Sequence, residues 1–257
     1  MGASMRIWAI ATNTVREAIR NKLLYTLLFF AVGMIGSAVL IASLSYVEGE
    51  RIIQDIGLSS IRLFGIGIAI FVGVGLIQGE VEQRTIYTIL ARPVSRTHFL
   101  LGKFLGLSLA VWLQLVLMAI AFTVVCFAAG VSVGAGHVAA LFLIGLELML
   151  MVAVATLFSS FTTPMLASLF TLGVYAMGHL SQDLYFLGQQ ADQPHVTLVA
   201  TWLYRVLPDL EIFNKTIEAA HGLPITASEI GSSILYALGY TALLLFAASF
   251  IFRRRDM

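Results

Sequence analysis

Long apolar runs separated by short polar breaks occupy most of this chain. A run of about 20 mostly apolar residues is long enough to cross a bilayer as an α-helix. Six runs meet this criterion, at residues 23–45, 60–79, 100–129, 138–158, 165–187 and 230–252. The pattern predicts an all-α polytopic membrane protein with six transmembrane helices, in a single domain that covers residues 1–257.

A different pattern precedes the first run. In residues 6–22 apolar side chains recur at spacings of three and four, and polar side chains fill the opposite face. The apolar positions are Trp8, Ala11, Val15, Ala18 and Ile19, and the polar ones are Asn13, Arg16, Glu17 and Arg20. This arrangement is typical of an amphipathic helix that lies in the membrane interface. The basic residues alone also fit a simple anchor for the first span.

Basic residues are concentrated in three of the breaks. They cluster before the first run, between the second and third, and after the sixth, and these clusters hold 11 of the 15 basic residues. With six spans the three clusters share one face, which the positive-inside rule assigns to the cytoplasm. Both termini and residues 80–103 are therefore predicted to be cytoplasmic. The basic residues assigned to the other face are Arg51, Arg62, Arg205 and Lys215.

Composition excludes several function classes. Hydrophobic residues make up 59% of the chain and charged residues 11%, against about 25% charged in soluble domains. The net charge of +1 gives no indication of nucleic-acid binding. Cys126 is the one cysteine, and the five histidines show no metal-ligand spacing. No Ser-His-Asp or acid-pair pattern is present, so we predict no catalytic residue, no metal site and no bound cofactor.

The most informative polar break is Gly79–Lys103, which reads GEVEQRTIYTILARPVSRTHFLLGK. Glu80 and Arg84 are four residues apart, in the order that stabilises a helix. Pro93 disfavours helical geometry in the residue before it, and Ser95 suits the cap of the next helix. The short helix would carry an apolar stripe formed by Ile86, Ile89 and Leu90. An ordinary basic loop would explain the arginines, but not this stripe together with the acidic pair and the placed proline.

This segment resembles the cytoplasmic loop of ABC-2-type exporter permeases, where acidic residues, Thr and Leu precede Pro-Val-Ser-Arg and a later Leu-Gly-Lys. The matching residues are Glu80, Glu82, Thr85, Leu90, Pro93, Val94, Ser95, Arg96, Leu101, Gly102 and Lys103. Arg84 departs from the family pattern, which often has Gly before the Thr. Residues 207–213 and 252–256 also resemble segments near the end of such permeases.

The resemblance implies a permease subunit that couples ATP hydrolysis on a separate ABC ATPase to export. ATP and Mg would be bound by that partner, because Thr97 stands where a phosphate-binding loop ending at Lys103 would need its first Gly. The coupling residues would be Glu80, Glu82, Arg84, Thr85, Ile86, Ile89, Leu90, Arg92, Pro93, Val94, Ser95 and Arg96. A homodimer with a second permease copy, in the lipid of a bacterial or archaeal inner membrane, is also implied.

Glu147 is the main polar residue inside a predicted span. A charged carboxylate at the bilayer centre costs about 3 kcal/mol on insertion scales, so it should find a partner or be protonated. Gln114 and His179 are the candidate partners. Glu147 could belong to a transport pathway or only to helix packing. An alternative function is an ion-gradient-driven secondary transporter using Glu147, although such transporters usually show repeats that this chain lacks.

Two further features predict packing. Gly75 and Gly79, and likewise Gly102 and Gly106, place small residues one turn apart, which allows close helix approach between spans two and three or between subunits. The outer segment 188–229 is predicted to form short helices at the membrane interface. Its aromatic and apolar anchors are Trp202, Tyr204, Leu207 and Phe213.

Overall fold

A computed structural model describes residues 3–45, 48–82, 96–191 and 193–254. Within these ranges the chain is helical and contains no β-strand. The α-helices are α1 (Ala3–Ile19), α2 (Lys22–Ala42), α3 (Gly49–Glu82), α4 (Arg96–Ala128), α5 (Ala135–Ser159), α6 (Pro164–His179), α7 (Ser181–Gln190), α8 (Pro194–Val206), α9 (Thr216–Ala220) and α10 (Ala227–Arg254). A 3-10 turn at Glu211–Phe213 lies between α8 and α9. The all-α polytopic architecture is thereby confirmed.

Five of the described helices are long and apolar enough to cross a membrane: α2, α3, α4, α5 and α10. They coincide with predicted runs one to four and six. Helix α3 differs most, because it begins at Gly49 and not near residue 60, and it has 34 residues. At about 1.5 Å per residue it is roughly 50 Å long, well beyond the ~30 Å hydrocarbon core.

The fifth predicted run, at 165–187, is not one continuous helix, because the chain breaks at Leu180 into α6 and α7. The carbonyl of Gly178 accepts hydrogen bonds from the Ser181 hydroxyl and from the backbone N–H of Leu210, at 3.0 and 3.2 Å. These contacts divert the carbonyl from the regular helix ladder. Helix α6 therefore has 16 residues and a length of about 24 Å, which is shorter than a bilayer core.

Helix α5 occupies the centre of the bundle. It contacts α3, α4, α6 and α10, and most of its residues are buried. The ring of Trp112 on α4 lies directly over Gly145, where any side chain would clash with the indole. Helix α2 is peripheral and packs mainly on α3. The residues of α5 thus lie in a buried, apolar environment, where a charged group needs a partner.

Helix α1 has the amphipathic character expected for residues 6–22, and it lies along α4. Ala11, Thr14 and Ala18 are fully buried against the bundle, whereas Met5 and Trp8 are more than half exposed. The apolar side chains of the helix are therefore divided between two surfaces. One surface is packed on protein, and the other is open to the surroundings.

The outer segment 188–229 forms short helices, as expected, with Trp202 exposed on α8. Phe213 does not join an interfacial aromatic belt: it and Leu210 are completely buried in the bundle. On the following turn, Lys215 donates to Glu218 at 2.9 Å and to Glu229 at 3.1 Å, and the Glu218 bond is the main factor that raises the pKa of Lys215. These bonds tie α9 to the start of α10.

Candidate functional site

A chain of polar side chains crosses the interior of the bundle and centres on Glu147. This residue lies on α5 and is completely buried. Nε of Arg62 on α3 is 2.9 Å from Oε2 of Glu147, and Nε2 of His179 on α6 is 2.9 Å from Oε1. Both carboxylate oxygens are therefore engaged, as expected for a carboxylate deep in an apolar bundle.

The polar chain continues from His179 to the outer segment. Nδ1 of His179 lies 3.1 Å from Oε2 of Glu211, which also accepts a bond from the Asn214 amide through Oε1 at 2.8 Å. A neutral imidazole has one N–H donor, and an ionised carboxylate only accepts. His179 between two carboxylates must therefore carry a second proton, unless one of the carboxylates is protonated. We call Arg62, Glu147, His179 and Glu211 the Glu147 network.

Residues 207–213 pack against the bundle beside His179, and we call them the outer plug after the side predicted for them. Leu210 is buried, and its backbone N–H donates to the Gly178 carbonyl. Asp209 is fixed on two sides, since its backbone N–H donates to the Tyr236 hydroxyl at 2.7 Å and its carboxylate accepts from Gln182 at 2.8 Å. The outer plug thereby joins α6, α7 and α10.

Of the two partners predicted for Glu147, the structure brings His179 into contact and leaves Gln114 elsewhere. Gln114 is buried on α4, and its Nε2 has no hydrogen-bond partner among the described residues. Arg62 takes the place that Gln114 was expected to fill. The prediction that Arg62 lies at the outer face of the membrane is wrong. Its side chain is only 12% exposed and points into the bundle, where it pairs with Glu147.

A second buried charge lies at the other end of the bundle. Lys103 on α4 is 2% exposed, and its Nζ is 3.2 Å from Oε2 of Glu17 on α1 and 3.4 Å from the carbonyl of Leu76 on α3. An ammonium group buried to this extent needs such partners. Lys103 therefore joins three helices at one point.

Helix α1 packs closely against the two glycines beside Lys103, Gly102 and Gly106. A Cβ added at Gly106 would lie 2.6 Å from the carbonyl oxygen of Ala11, and one at Gly102 would lie 3.1 Å from that of Ile7. The Gly102 and Gly106 pair therefore serves the approach of α1, and not the packing of spans two and three that the sequence suggested. A Cβ at Gly75 would meet no atom within 4 Å among the described residues.

The predicted coupling segment is described only at its ends. Glu80 and Glu82 belong to the last turn of α3 and do not begin a separate helix, and α4 begins at Arg96. The other predicted coupling residues lie outside the described residues: Arg84, Thr85, Ile86, Ile89, Leu90, Arg92, Pro93, Val94 and Ser95. Their coupling role remains a prediction. Helix α3 ends and α4 begins at the end of the bundle where Lys103 binds α1.

Four residues of these contacts were not identified as interacting residues from the sequence: Arg62, Glu211, Glu17 and Lys103. A signal was available for Arg62 and Lys103, since each lies within a predicted apolar run, where a cation requires a partner. No local pattern marks Glu17 or Glu211, because their partners are 86 and 32 residues away. Within the part of the chain that the structure describes, no group of three His, Cys, Asp or Glu side chains is placed to bind a metal.

Residues 8–257 match the sequence model of a protein family described as "ABC-2 family transporter protein". The match includes most of α1, the segment between α3 and α4, and the last helix. It therefore extends over both the Glu147 network and the point where Lys103 joins α1, α3 and α4, which we call the Lys103 junction. Among curated proteins, none matches the chain.

Proposed function

Because the chain belongs to the ABC-2 family of transporter proteins, we propose that it is the permease subunit of an exporter driven by a separate ABC ATPase. The observation that carries this proposal is the junction at Lys103. The Gly102-Lys103 end of the loop motif fixes α1 to α4, and Lys103 also contacts the inner end of α3. A partner that moves residues 83–95 would thus act on three helices together.

The long helices then carry the movement outward. Helices α3 and α4 have 34 and 33 residues, and each runs from the coupling end toward the opposite end of the bundle. Arg62 lies on α3 and is bonded to Glu147, which is in turn linked to His179 and the outer plug. A shift of α3 relative to α5 would strain these bonds. Contiguous contacts of this kind provide a physical route between the ATPase end and the outer end.

The remaining parts of the proposal follow from the family assignment and the charge distribution. ATP and Mg are bound on the partner ATPase, and two permease copies form a homodimer in the bacterial or archaeal inner membrane. Both termini and residues 80–103 face the cytoplasm, because the end of α10 packs beside the start of α4, with the hydroxyls of Ser249 and Thr97 3.0 Å apart, and α1 packs on the same helix. The broken stretch of α6 and α7 then completes the fifth crossing, and the outer plug faces the outside. In this orientation the Lys103 junction lies at the ATPase side and the Glu147 network lies toward the exit.

The buried acid–imidazole contact also supports a second candidate function, a secondary transporter that uses Glu147 for ion coupling. Both oxygens of Glu147 are already engaged by Arg62 and His179. An ion would therefore have to displace one of these partners. The secondary transporter would need no ATPase, which separates the two functions experimentally.

The test of the proposal uses a matched pair of substitutions in the coupling segment. Leu90→Asp places a charge in the predicted apolar stripe, and burying an unpaired charge against a partner is costly. Thr88→Asp adds the same charge off the stripe. We expect Leu90→Asp to retain membrane abundance and to lose both ATPase co-purification and ATP-dependent transport, whereas Thr88→Asp retains all three. A Leu90→Asp protein that still binds its ATPase and transports would refute the coupling assignment.

A further inference from the structure

A polar pocket of about 630 Å³ lies between α1 and the inner end of α3. It is separate from the Glu147 network and does not depend on the coupling residues 83–95. The lining residues are Asn13, Arg16, Glu17, Arg20, Asn21 and Leu76. We call this the α1 pocket.

The charge of the α1 pocket is unbalanced. Arg16 lies in the last turn of α1 and Arg20 directly follows the end of that helix, and among the described residues neither guanidinium forms an ion pair or hydrogen bond. Glu17 is the one carboxylate in the lining, and it is engaged by Nζ of Lys103 at 3.2 Å. The pocket therefore presents two positive charges whose nearest acidic neighbour is already paired.

The two asparagines add neutral donors. Oδ1 of Asn21 accepts a hydrogen bond from the backbone N–H of Leu23 at 2.9 Å and so caps the start of α2. Because that bond occupies the carbonyl end of the side chain, the NH₂ end of Asn21 remains available as a donor. Asn13 is exposed on α1, one turn from Arg16. Guanidinium and amide donors converging on one space suit an anionic oxygen ligand.

The position of the pocket restricts the source of such a ligand. Asn21 directly precedes Lys22, the first residue of membrane-spanning helix α2. The pocket therefore lies at the boundary between water and the bilayer. On the same helix, Trp8 and Met5 are 62% and 56% exposed, and apolar side chains on an interfacial helix insert among lipid chains. A lipid whose acyl chains lie beside α1 would bring its headgroup to this level.

We propose that the α1 pocket binds the phosphate group of an anionic membrane lipid. A phosphate matches the planar donors of Arg16 and Arg20, which can each bind two of its oxygens. Basic segments next to spanning helices on the cytoplasmic side attract anionic headgroups. The inference rests on the cytoplasmic placement of α1 in the proposed function, but it requires neither the ATPase nor export.

The experiment measures lipid binding to the purified chain in detergent by native mass spectrometry. The probes are dioleoylphosphatidylglycerol, dioleoylphosphatidylcholine and inorganic phosphate. The variants are Arg16→Gln and Arg20→Gln, with Lys22→Gln as the matched control, because Lys22 is exposed at the same boundary and does not line the pocket. Melting temperature without lipid checks that each variant is folded.

We expect phosphatidylglycerol to bind more tightly than phosphatidylcholine, and each arginine substitution to weaken phosphatidylglycerol binding about five-fold. Lys22→Gln should change this affinity less than two-fold. Equal losses in all three variants would indicate a diffuse surface charge and would overturn the pocket. Inorganic phosphate should compete only weakly. If it binds alone as tightly as the lipid does, the site serves a soluble phosphate compound and the lipid proposal fails.

Discussion

Nε of Arg62 and Oε2 of Glu147 lie 2.9 Å apart in the bundle, although 85 residues separate them in the chain. The pair joins α3, which leads to the proposed coupling end, to the central helix α5. Glu147 is fully buried and Arg62 nearly so. Two charges in such a place are costly to desolvate, and removing only one of them leaves the other unpaired. The pair therefore constrains which substitutions the bundle tolerates.

Replacing Glu147 with Leu should destabilise the protein strongly, since Arg62 and His179 both lose their acceptor. Breaking a buried pair from one side typically costs about 3–5 kcal/mol. Glu147→Gln keeps one acceptor oxygen and should cost less. The double variant Arg62→Met with Glu147→Leu removes both charges and should recover much of the loss. The measurement is the free energy of unfolding in detergent, with membrane abundance as a check.

If the double variant were as unstable as Glu147→Leu alone, the two side chains would not act as a pair. Transport by the stable double variant gives separate information. Transport at the parent rate would show that the pair serves only the fold. Loss of transport in a stable protein would assign the pair a role in the transport cycle, or in ion coupling if the ATPase proves dispensable.

The approach of the outer plug to α6 can be tested at Gly178. A Cβ at this position would lie 2.8 Å from the carbonyl oxygen of Pro208 and from the side chain of Leu210. Gly178→Ala should therefore push the plug away, at the ~1–3 kcal/mol typical of overpacking. Gly173→Ala is the matched control, because a Cβ at Gly173 meets no described atom within 4 Å.

The readout is thiol labelling of a Leu210→Cys reporter in a Cys126→Ala background. Leu210 is fully buried, so the reporter should be protected when the plug is closed. Gly178→Ala should speed labelling at least several-fold through its clash with the Pro208 carbonyl, which remains when Leu210 is replaced by Cys, and Gly173→Ala should leave the rate unchanged. Equal protection in both variants would mean that residues 207–213 do not pack on α6 as described.

Features that depend on local sequence could be predicted, whereas features that depend on contacts between residues far apart in the chain could not. Helices α2, α4, α5 and α10 follow from the length of their apolar runs, because the bilayer requirement acts on each run separately. The break at Leu180 does not, because it depends on the bond from the distant Leu210 to Gly178. Similarly, intramembrane charge predicts that Glu147 has partners, but helix packing decides that Arg62 and not Gln114 provides one.

Membrane orientation can be tested with single cysteines on the two predicted sides. Ile217 is 61% exposed on α9 and is a suitable outer reporter, unlike the buried Leu210. Thr88 lies in the predicted cytoplasmic segment. In a Cys126→Ala background, a membrane-impermeant thiol reagent added outside should label Ile217→Cys in intact cells and should label Thr88→Cys only after lysis. Labelling of both residues from one side would contradict the topology.

The contact between α1 and α4 gives the last prediction, which separates docking of α1 from general stability. A Cβ at Gly106 would lie 2.6 Å from both the Ala11 carbonyl oxygen and Cβ of Thr14, so Gly106→Val should displace α1 from α4. Gly239→Val is the control, since Gly239 is exposed on α10 and its Cβ position is open among the described residues. We expect Gly106→Val to retain about half or more of the parent abundance, because the five long apolar helices do not include α1. It should increase labelling of a Thr14→Cys reporter, which is fully buried when α1 is docked.

The same Gly106→Val variant should also reduce ATP-dependent transport about ten-fold or more, because α1 no longer moves with α4 when the ATPase pushes on the segment between α3 and α4. Full transport by a Gly106→Val protein with an exposed reporter would show that α1 docking is not part of the coupling path, and it would restrict that path to α3 and α4.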